Sequence, residues 1–275
     1  MSALEIVQTM NSEDERVAES VKQSLPEIAE AVELIAERLL HGGRLFYVGA
    51  GTSGRLGVMD ASECPPTFGV SPEMVQGIIA GGVTALTDEV EGAEDDVSAG
   101  ETSMKNVKIN NQDVVLGISA SGTTPFVLAA IAYAGQQGAV KIGLACIPKS
   151  PLLENVAVAI CVQVGQEVVA ESTRLKAGTA QKMVLNMLST ATMVKLGKVY
   201  QNRMVNLQAS NKKLVRRAEK MVAEIGEVSP ETATELLQKS GNHAKTAIVM
   251  AKLKINVQEA SKRLESVDGN LGKII

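Results

Sequence analysis

The chain has 275 residues, enough for one large domain or a main domain with a smaller appendage, and a core of that size needs no disulfide or metal staples. Hydrophobic residues make up 45% and charged residues 21%, which excludes wholesale disorder. Lys and Arg number 27 against 31 acidic residues, a net charge of −4, and aromatics are 2% with no Trp, so nucleic acid is not expected as a partner.

Ser12-x-x-Glu15 has the form of a capping box, and Val17, Val21 and Leu25, then Ile28, Val32, Ile35 and Leu39, recur at helical spacing. Pro26 is expected to divide this stretch into two helices, and Gly42-Gly43 to end the second. The period then changes. Leu45-Phe46-Tyr47-Val48 reads as a buried strand, and similar runs recur at Val75–Ile79, Val114–Ile118, Val140–Leu144 and from Val156 through Ile160 to Val164. The clearest intervening helix carries Val127, Leu128, Ile131 and Ala134, opened by Thr124-Pro125 and closed by Gly138. Strands alternating with helices predict an α/β fold, a doubly wound, flavodoxin-like five-stranded parallel sheet.

A long helix with Ala180, Met183, Val184, Met187, Ala191 and Val194 follows, apolar around much of its circumference and expected inside the domain or at a subunit interface. The last seventy or so residues turn rich in Lys and Glu. Glu231, Leu236, Gly241, Asn242 and Lys245 reappear as Glu259, Leu264, Gly269, Asn270 and Lys273, two copies of a short unit that predict a small C-terminal helical appendage. The expected division is 1–34, N-terminal helices; 35–198, the sheet domain; and 199–275, a helical region with a UBA-like repeat.

Three cysteines, Cys64, Cys146 and Cys161, fit no zinc spacing and no disulfide framework, which points to a reducing, cytoplasmic setting. The N-terminus has neither a basic nor an apolar leader region, and no run reaches the roughly 18 apolar residues of a membrane span. A soluble intracellular protein away from membranes is expected. His41 and His243 lie far apart near glycines and read as surface or helix-end residues, with no Ser-His-Asp triad and no metal site.

Two loops carry the chemistry. Gly49-Ala50-Gly51-Thr52-Ser53-Gly54 follows the first strand and matches G-x-G-x-x-G, yet the acidic residue that a dinucleotide ribose needs after the second strand is missing, and no Walker lysine follows. Ser119-Ala120-Ser121-Gly122-Thr123-Thr124 follows the third strand. Loops after parallel strands emerge at one sheet edge, where free amides, hydroxyls and helix dipoles suit a phosphate monoester. The rival role for these Ser and Thr residues is helix capping. Glu63, in Asp60-Ala61-Ser62-Glu63-Cys64-Pro65-Pro66, is expected at a helix end set by the prolines, placed to serve as acid or base. Glu94 lies in the run Asp88–Asp96, which by pattern alone reads as a solvated face.

Gly49–Gly57, running into Asp60–Thr67, resembles the signature of N-acetylmuramic acid 6-phosphate etherases, Glu91–Asp95 is similar to that family's second acidic motif, and Ser172–Lys182 to its third. The resemblance implies a sugar isomerase (SIS) fold, homodimers with sites near the subunit interface, and cleavage of the D-lactyl ether of N-acetylmuramic acid 6-phosphate without a cofactor. It implies Glu63 as proton donor, Glu94 as second essential acid, and Gly51, Thr52, Ser53, Ser119, Ser121, Gly122, Thr123 and Thr124 as sugar-phosphate contacts. Lys176 is a candidate electrostatic partner of the anionic sugar. Thr123 stands where the family commonly has Arg, Glu171 where Gly is usual, and a further segment usually precedes the position of Ser2. The alternatives are a non-catalytic phosphosugar-sensing regulatory protein on the same fold, and an NAD-dependent oxidoreductase using the Gly49–Gly54 loop.

Overall fold

The computed structural model describes residues 1–206 and 212–275, apart from the side chain of Lys213. The chain divides into two compact units, residues 1–62 with 72–190, and residues 63–71 with 191–275.

The first unit opens with α1 (Ala3–Lys22) and α2 (Leu25–Leu40). The cap of α1 differs from expectation. Ser2 and Glu5 form the capping box, Ser12 lies inside the helix, and the Ser12 pattern is a second match to the same short motif. Pro26 sits in the first turn of α2, where its missing N–H costs nothing, and Gly42 follows the helix at φ 85°. Five strands follow, β1 (Leu45–Gly49), β2 (Val75–Ile79), β3 (Val114–Ile118), β4 (Val140–Ala145) and β5 (Val158–Cys161), all parallel in the order β2-β1-β3-β4-β5. β5 is shorter than the apolar run that predicted it, with Ala157 N bonded to Lys141 O at its entry.

Every residue of β1 and β3 is buried, which is why both read as unbroken apolar runs. Alternate residues serve opposite faces. Phe46, Val48 and Val115 pack with Met104 of α4 (Val97–Asn106) and with Phe126, Val127 and Ala130 of α5 (Pro125–Gln136). Each of the Phe, Val and Met side chains contributes about 1.5–3 kcal/mol by leaving water. On the other face lies α3 (Gly51–Phe68); a Cβ at Gly57 would stand 3.0 Å from Tyr47 Cβ, and one at Gly77 2.5 Å from Val58 Cα. Those glycines let helix and sheet approach closely.

Pro65-Pro66 does not stop α3, which runs on to Phe68. The prolines fall in its last turn, where the cost is the partners of only two carbonyls, those of Ala61 and Ser62. The helix ends at Gly69, φ 61°, where Asn206 Nδ2 donates to Phe68 O (2.7 Å) and Gly69 O (3.1 Å).

α6 (Lys176–Lys195) is the long apolar helix, with Ala180 and Val184 buried and Val194 exposed. In the second unit α7 (Lys212–Gly226), α8 (Pro230–Lys239), α9 (Ala244–Leu253) and α10 (Val257–Glu265) enclose a core that includes Met221, Val222, Leu237, Ile248 and Leu264. The repeat is visible in the turns. Gly241 and Gly269 adopt φ 68° and 71°, and the second copy ends in a short 3₁₀ turn, Leu271–Lys273, in place of a full helix. Lys245 of the first copy donates to Gly269 O of the second (2.5 Å) and to Gly197 O (2.8 Å). His41 and His243 are exposed at helix ends, as expected.

Cys64 and Cys146 are buried and Cys161 half-buried, all as free thiols. Burial pushes the Cys146 thiol up to about 12, so it stays protonated and unreactive. Native protein at pH 8 should therefore resist iodoacetamide at Cys146 and be alkylated there only in denaturant. Mass mapping of the modified peptide checks this.

Candidate active site

The order β2-β1-β3-β4-β5 makes β1 and β3 neighbours at a topological switch point, and both candidate loops leave the carboxyl ends of those two strands. The first loop is shaped by its glycines. A Cβ at Gly49 would come within 2.6 Å of Gly54 N, and one at Gly54 within 2.6 Å of Ile79 Cγ1, so α3 closes directly onto the strand end. Gly51 takes φ 51° with open space before it, the conformation that aims successive amides outward.

Gly51 and Thr52 line a cavity of about 400 Å³ together with Arg55 and Glu94. Its opposite wall is the acidic loop, including Asp88, Glu89 and Glu91. Glu94 stands in a 3₁₀ turn, Ala93–Asp95, entered through Gly92 at φ 69°. Apart from half-buried Ala93 the run Asp88–Asp96 is exposed, and its residues 88–94 also form one side of the cavity; exposure alone does not distinguish the two. A larger cavity, of about 630 Å³, is bordered by Glu15, Arg16 and Glu19 of α1 and by Cys161; it contains neither loop.

Ser53 lies in the wall behind the loop. It is buried, and its hydroxyl donates to Gln181 Oε1 of α6 (2.9 Å). Thr52 meets the same helix, since a Cβ at Gly178 would be 3.4 Å from Thr52 Cγ2. Deeper along α3, buried Asp60 accepts from Asn186 Nδ2 (2.6 Å) and Ser189 Oγ (3.2 Å). Gln181, Asn186 and Ser189 thus fix α6 beside α3.

In the second loop the hydroxyls form a chain: Ser119 Oγ with Thr124 Oγ1 (2.8 Å), Ser121 Oγ with Thr123 Oγ1 (2.8 Å), and Gly122 N donating to Ser119 Oγ (3.0 Å). Gly122 adopts φ 70°, and a Cβ there would collide with Ser150 Oγ at 2.1 Å. Thr124 precedes α5 without making a side-chain cap, which leaves the first amides of a twelve-residue helix available to an anion.

Lys176 is buried, and its ammonium donates to Glu13 Oε2 of α1 (2.6 Å). Behind it, Lys176 N and Ala177 N donate to the Glu167 carboxylate, which caps the start of α6. The Lys176 hydrogen bond, followed by the charge of Arg16, holds the Glu13 carboxyl below its usual range. A carboxylate with a depressed folded value stabilises above its ordinary pKa and loses that contribution as pH falls through the lowered value. Glu13→Gln should therefore lower the melting temperature at pH 7, and its deficit against the parent should shrink below pH 4. Parallel melting curves across that range check the sign.

Glu63 is exposed, twelve residues beyond Gly51 on α3, and is grouped with residues 63–71 in the second compact unit. It is not among the residues bordering the 400 Å³ cavity. The residue pattern pointed to neither Arg55 nor Gln181 as part of the site, although both stand within the motifs quoted above.

A relative from Serratia proteamaculans, N-acetylmuramic acid 6-phosphate etherase, is 52% identical over 271 residues, 98% of this chain and 91% of its own length. The protein of the same name from Clostridium beijerinckii is 49% identical over all 275 residues and 90% of its length. The chain belongs to the N-acetylmuramic acid 6-phosphate etherase family. Family models agree with the etherase architecture: the glucokinase regulatory protein N-terminal SIS domain matches residues 27–135, an SIS domain 94–191, and the C-terminal lid domain of glucokinase regulatory protein 201–262. The fold is shared with a phosphoheptose isomerase from Francisella tularensis at TM-score 0.55 and 17% identity, covering 70% of this chain and 100% of the other. Among the described residues no helix is long and apolar enough to cross a membrane.

Proposed function

We propose that this chain is a carbon–oxygen lyase that cleaves the D-lactyl ether of N-acetylmuramic acid 6-phosphate, giving N-acetylglucosamine 6-phosphate and D-lactate. The observation that carries the reading is about 50% identity to etherases along the full chain, joined to a cavity where Gly51, Thr52 and Glu94 face one space.

The phosphate is held at the hydroxyl loops by the amides of Gly51 and Thr52, by Ser119, Ser121, Gly122, Thr123 and Thr124, and by the dipoles of α3 and α5. Ser53 supports the first loop through Gln181. The acid-lined wall repels phosphate, which stays at the loops, so the ring lies toward Glu94. An unactivated ether resists cleavage because an alkoxide leaves poorly. In the ring-opened sugar the C1 aldehyde acidifies the C2 proton, and a base removes it to give an enolate. The electron pair then expels the C3 oxygen, to which an acid gives a proton, and lactate departs. Water adds to the unsaturated aldehyde at C3 as the same group takes its proton, and C2 is reprotonated. One water is consumed and no electrons are exchanged, so the sequence needs no redox cofactor. Glu63 is the acid and then the base at C3, and Glu94 serves C2 or ring opening. Lys176 supports the anionic sugar once it exchanges its Glu13 contact for the ligand. Remote phosphate binding holds C2 and C3 against the carboxylates. The protein works as a homodimer in the cytoplasm, where three free thiols persist.

Incubation with N-acetylmuramic acid 6-phosphate and an enzymatic assay for D-lactate tests the reaction. Saturable phosphosugar binding with no lactate would instead support the alternative, a phosphosugar-sensing regulatory protein on the same fold.

A further inference from the structure

Arg55 is the cation on the wall of the 400 Å³ cavity, among Asp88, Glu89, Glu91 and Glu94, yet it forms no ion pair with any of them. Its guanidinium is directed to backbone. Nε donates to Leu86 O (3.2 Å) and Nη2 to Asp88 O (3.3 Å). Those two carbonyls stand where a 3₁₀ turn, Gly82–Leu86, gives way to an irregular stretch before Ala93. Glycines at positive φ, Gly81, Gly82 and Gly92, flank the stretch, so its backbone is intrinsically free. Its own hydrogen bonds are local: Thr87 N and Asp88 N to Thr84 O, Ala93 N to Val90 O, Asp95 N to Gly92 O. Among the described residues, the side-chain hydrogen bonds that tie residues 86–94 to another element are those of Arg55.

Four residues, just over one turn, separate Arg55 from Gly51 on α3. One rigid helix end therefore carries both the anion-facing amides and the bolt for the acidic loop. A planar guanidinium suits that task, because it spans two carbonyls with a fixed fork while a lysine ammonium is a single point. Bonding to carbonyls also leaves the carboxylates of the loop without a fixed counter-ion, available for proton transfer.

We propose that Arg55 is a positioning residue that fastens the acidic loop to α3 and so fixes Glu94 relative to the amides of Gly51 and Thr52, an assignment that rests on this cavity being the etherase site. The test compares the full-length parent with Arg55→Lys and Arg55→Ala. In both variants the amides of residues 87–92 should exchange hydrogen about tenfold faster, while those of β1 and β3 stay protected. Lactate release should fall about 10–100-fold in kcat, the cost of a displaced catalytic group, with KM within about threefold of the parent. Methylguanidinium should restore part of kcat to Arg55→Ala, and methylammonium should not.

Unchanged exchange in the loop would overturn the clamp. A rise in KM at parental kcat would also overturn it, since it would make Arg55 a direct ground-state contact for the substrate. Should Arg55→Ala fold poorly, Arg55→Lys keeps the aliphatic stem and charge and remains decisive. A parent that releases no lactate, with the exchange difference intact, would count against the etherase reading and leave the clamp standing.

Discussion

Glu63→Gln should abolish lactate release, with kcat down by about 10³-fold or more, because one carboxyl is asked to act in two successive steps and each proton transfer is worth about 10²–10⁴. The amide keeps the volume and the exposure of the side chain, so melting temperature should hold. Affinity for N-acetylglucosamine 6-phosphate should hold too, since the proposed phosphate site lies in the loops after β1 and β3. A second readout separates the two carboxylates. In deuterium oxide, Glu63→Gln should still exchange the C2 hydrogen of the substrate, because enolate formation precedes loss of lactate. Glu94→Gln should lose both exchange and release if Glu94 takes the C2 proton, and should retain exchange from the open-chain form if it serves ring opening. Lactate release at the parental rate by Glu63→Gln would defeat the assignment, and release without C2 exchange in the parent would defeat the enolate.

The parallel sheet was legible because β1 and β3 are buried on both faces and so carry uninterrupted apolar runs. Their neighbours were readable as similar short apolar runs. Helix ends were less so: Ser2 and Ser12 both begin an S-x-x-E pattern, and the choice between them depends on how far a solvated helix extends. α4 went unread because its ten residues are only thinly apolar, with Met104 and Gly100 alone buried. Within the site, the two loops were found from local composition. Arg55 was not, since its partners are carbonyls, which every residue owns. The Glu13 contact of Lys176 was equally hidden, spanning 163 residues of sequence and joining elements whose docking no local pattern records.

The largest expected loss of stability lies at the opposite end of the same two strands. Asp113 is 1% exposed just before β3, and its carboxylate collects five donors. Oδ1 accepts from Arg44 N (3.0 Å) and Arg44 Nε (3.1 Å), and Oδ2 from Arg44 Nη2 (2.7 Å), Asn110 N (3.1 Å) and Asn110 Nδ2 (3.0 Å). Arg44 itself lies over the Phe46 ring, 4.9 Å from its centre, and the Asp113 hydrogen bond holds its pKa above the usual arginine value. Asp113→Ala takes the carboxylate from a half-buried guanidinium, two backbone amides and the Asn110 carboxamide together, and breaking such a pair from one side costs about 3–5 kcal/mol. For a chain of this size that corresponds to a fall of about 6–15 °C in melting temperature. Replacing both partners, Arg44→Met with Asp113→Leu, should recover the part of the loss due to the uncompensated charge, while the Arg44 and Asn110 amides stay without the carboxylate. Lactate release per folded molecule at 25 °C should stay near the parental value in the double variant, since the proposed phosphate loops leave the far ends of β1 and β3. A single Asp113→Ala variant that melts with the parent would show that the knot is solvated and idle; a double variant as unstable as the single would show that the strand ends need the charge itself.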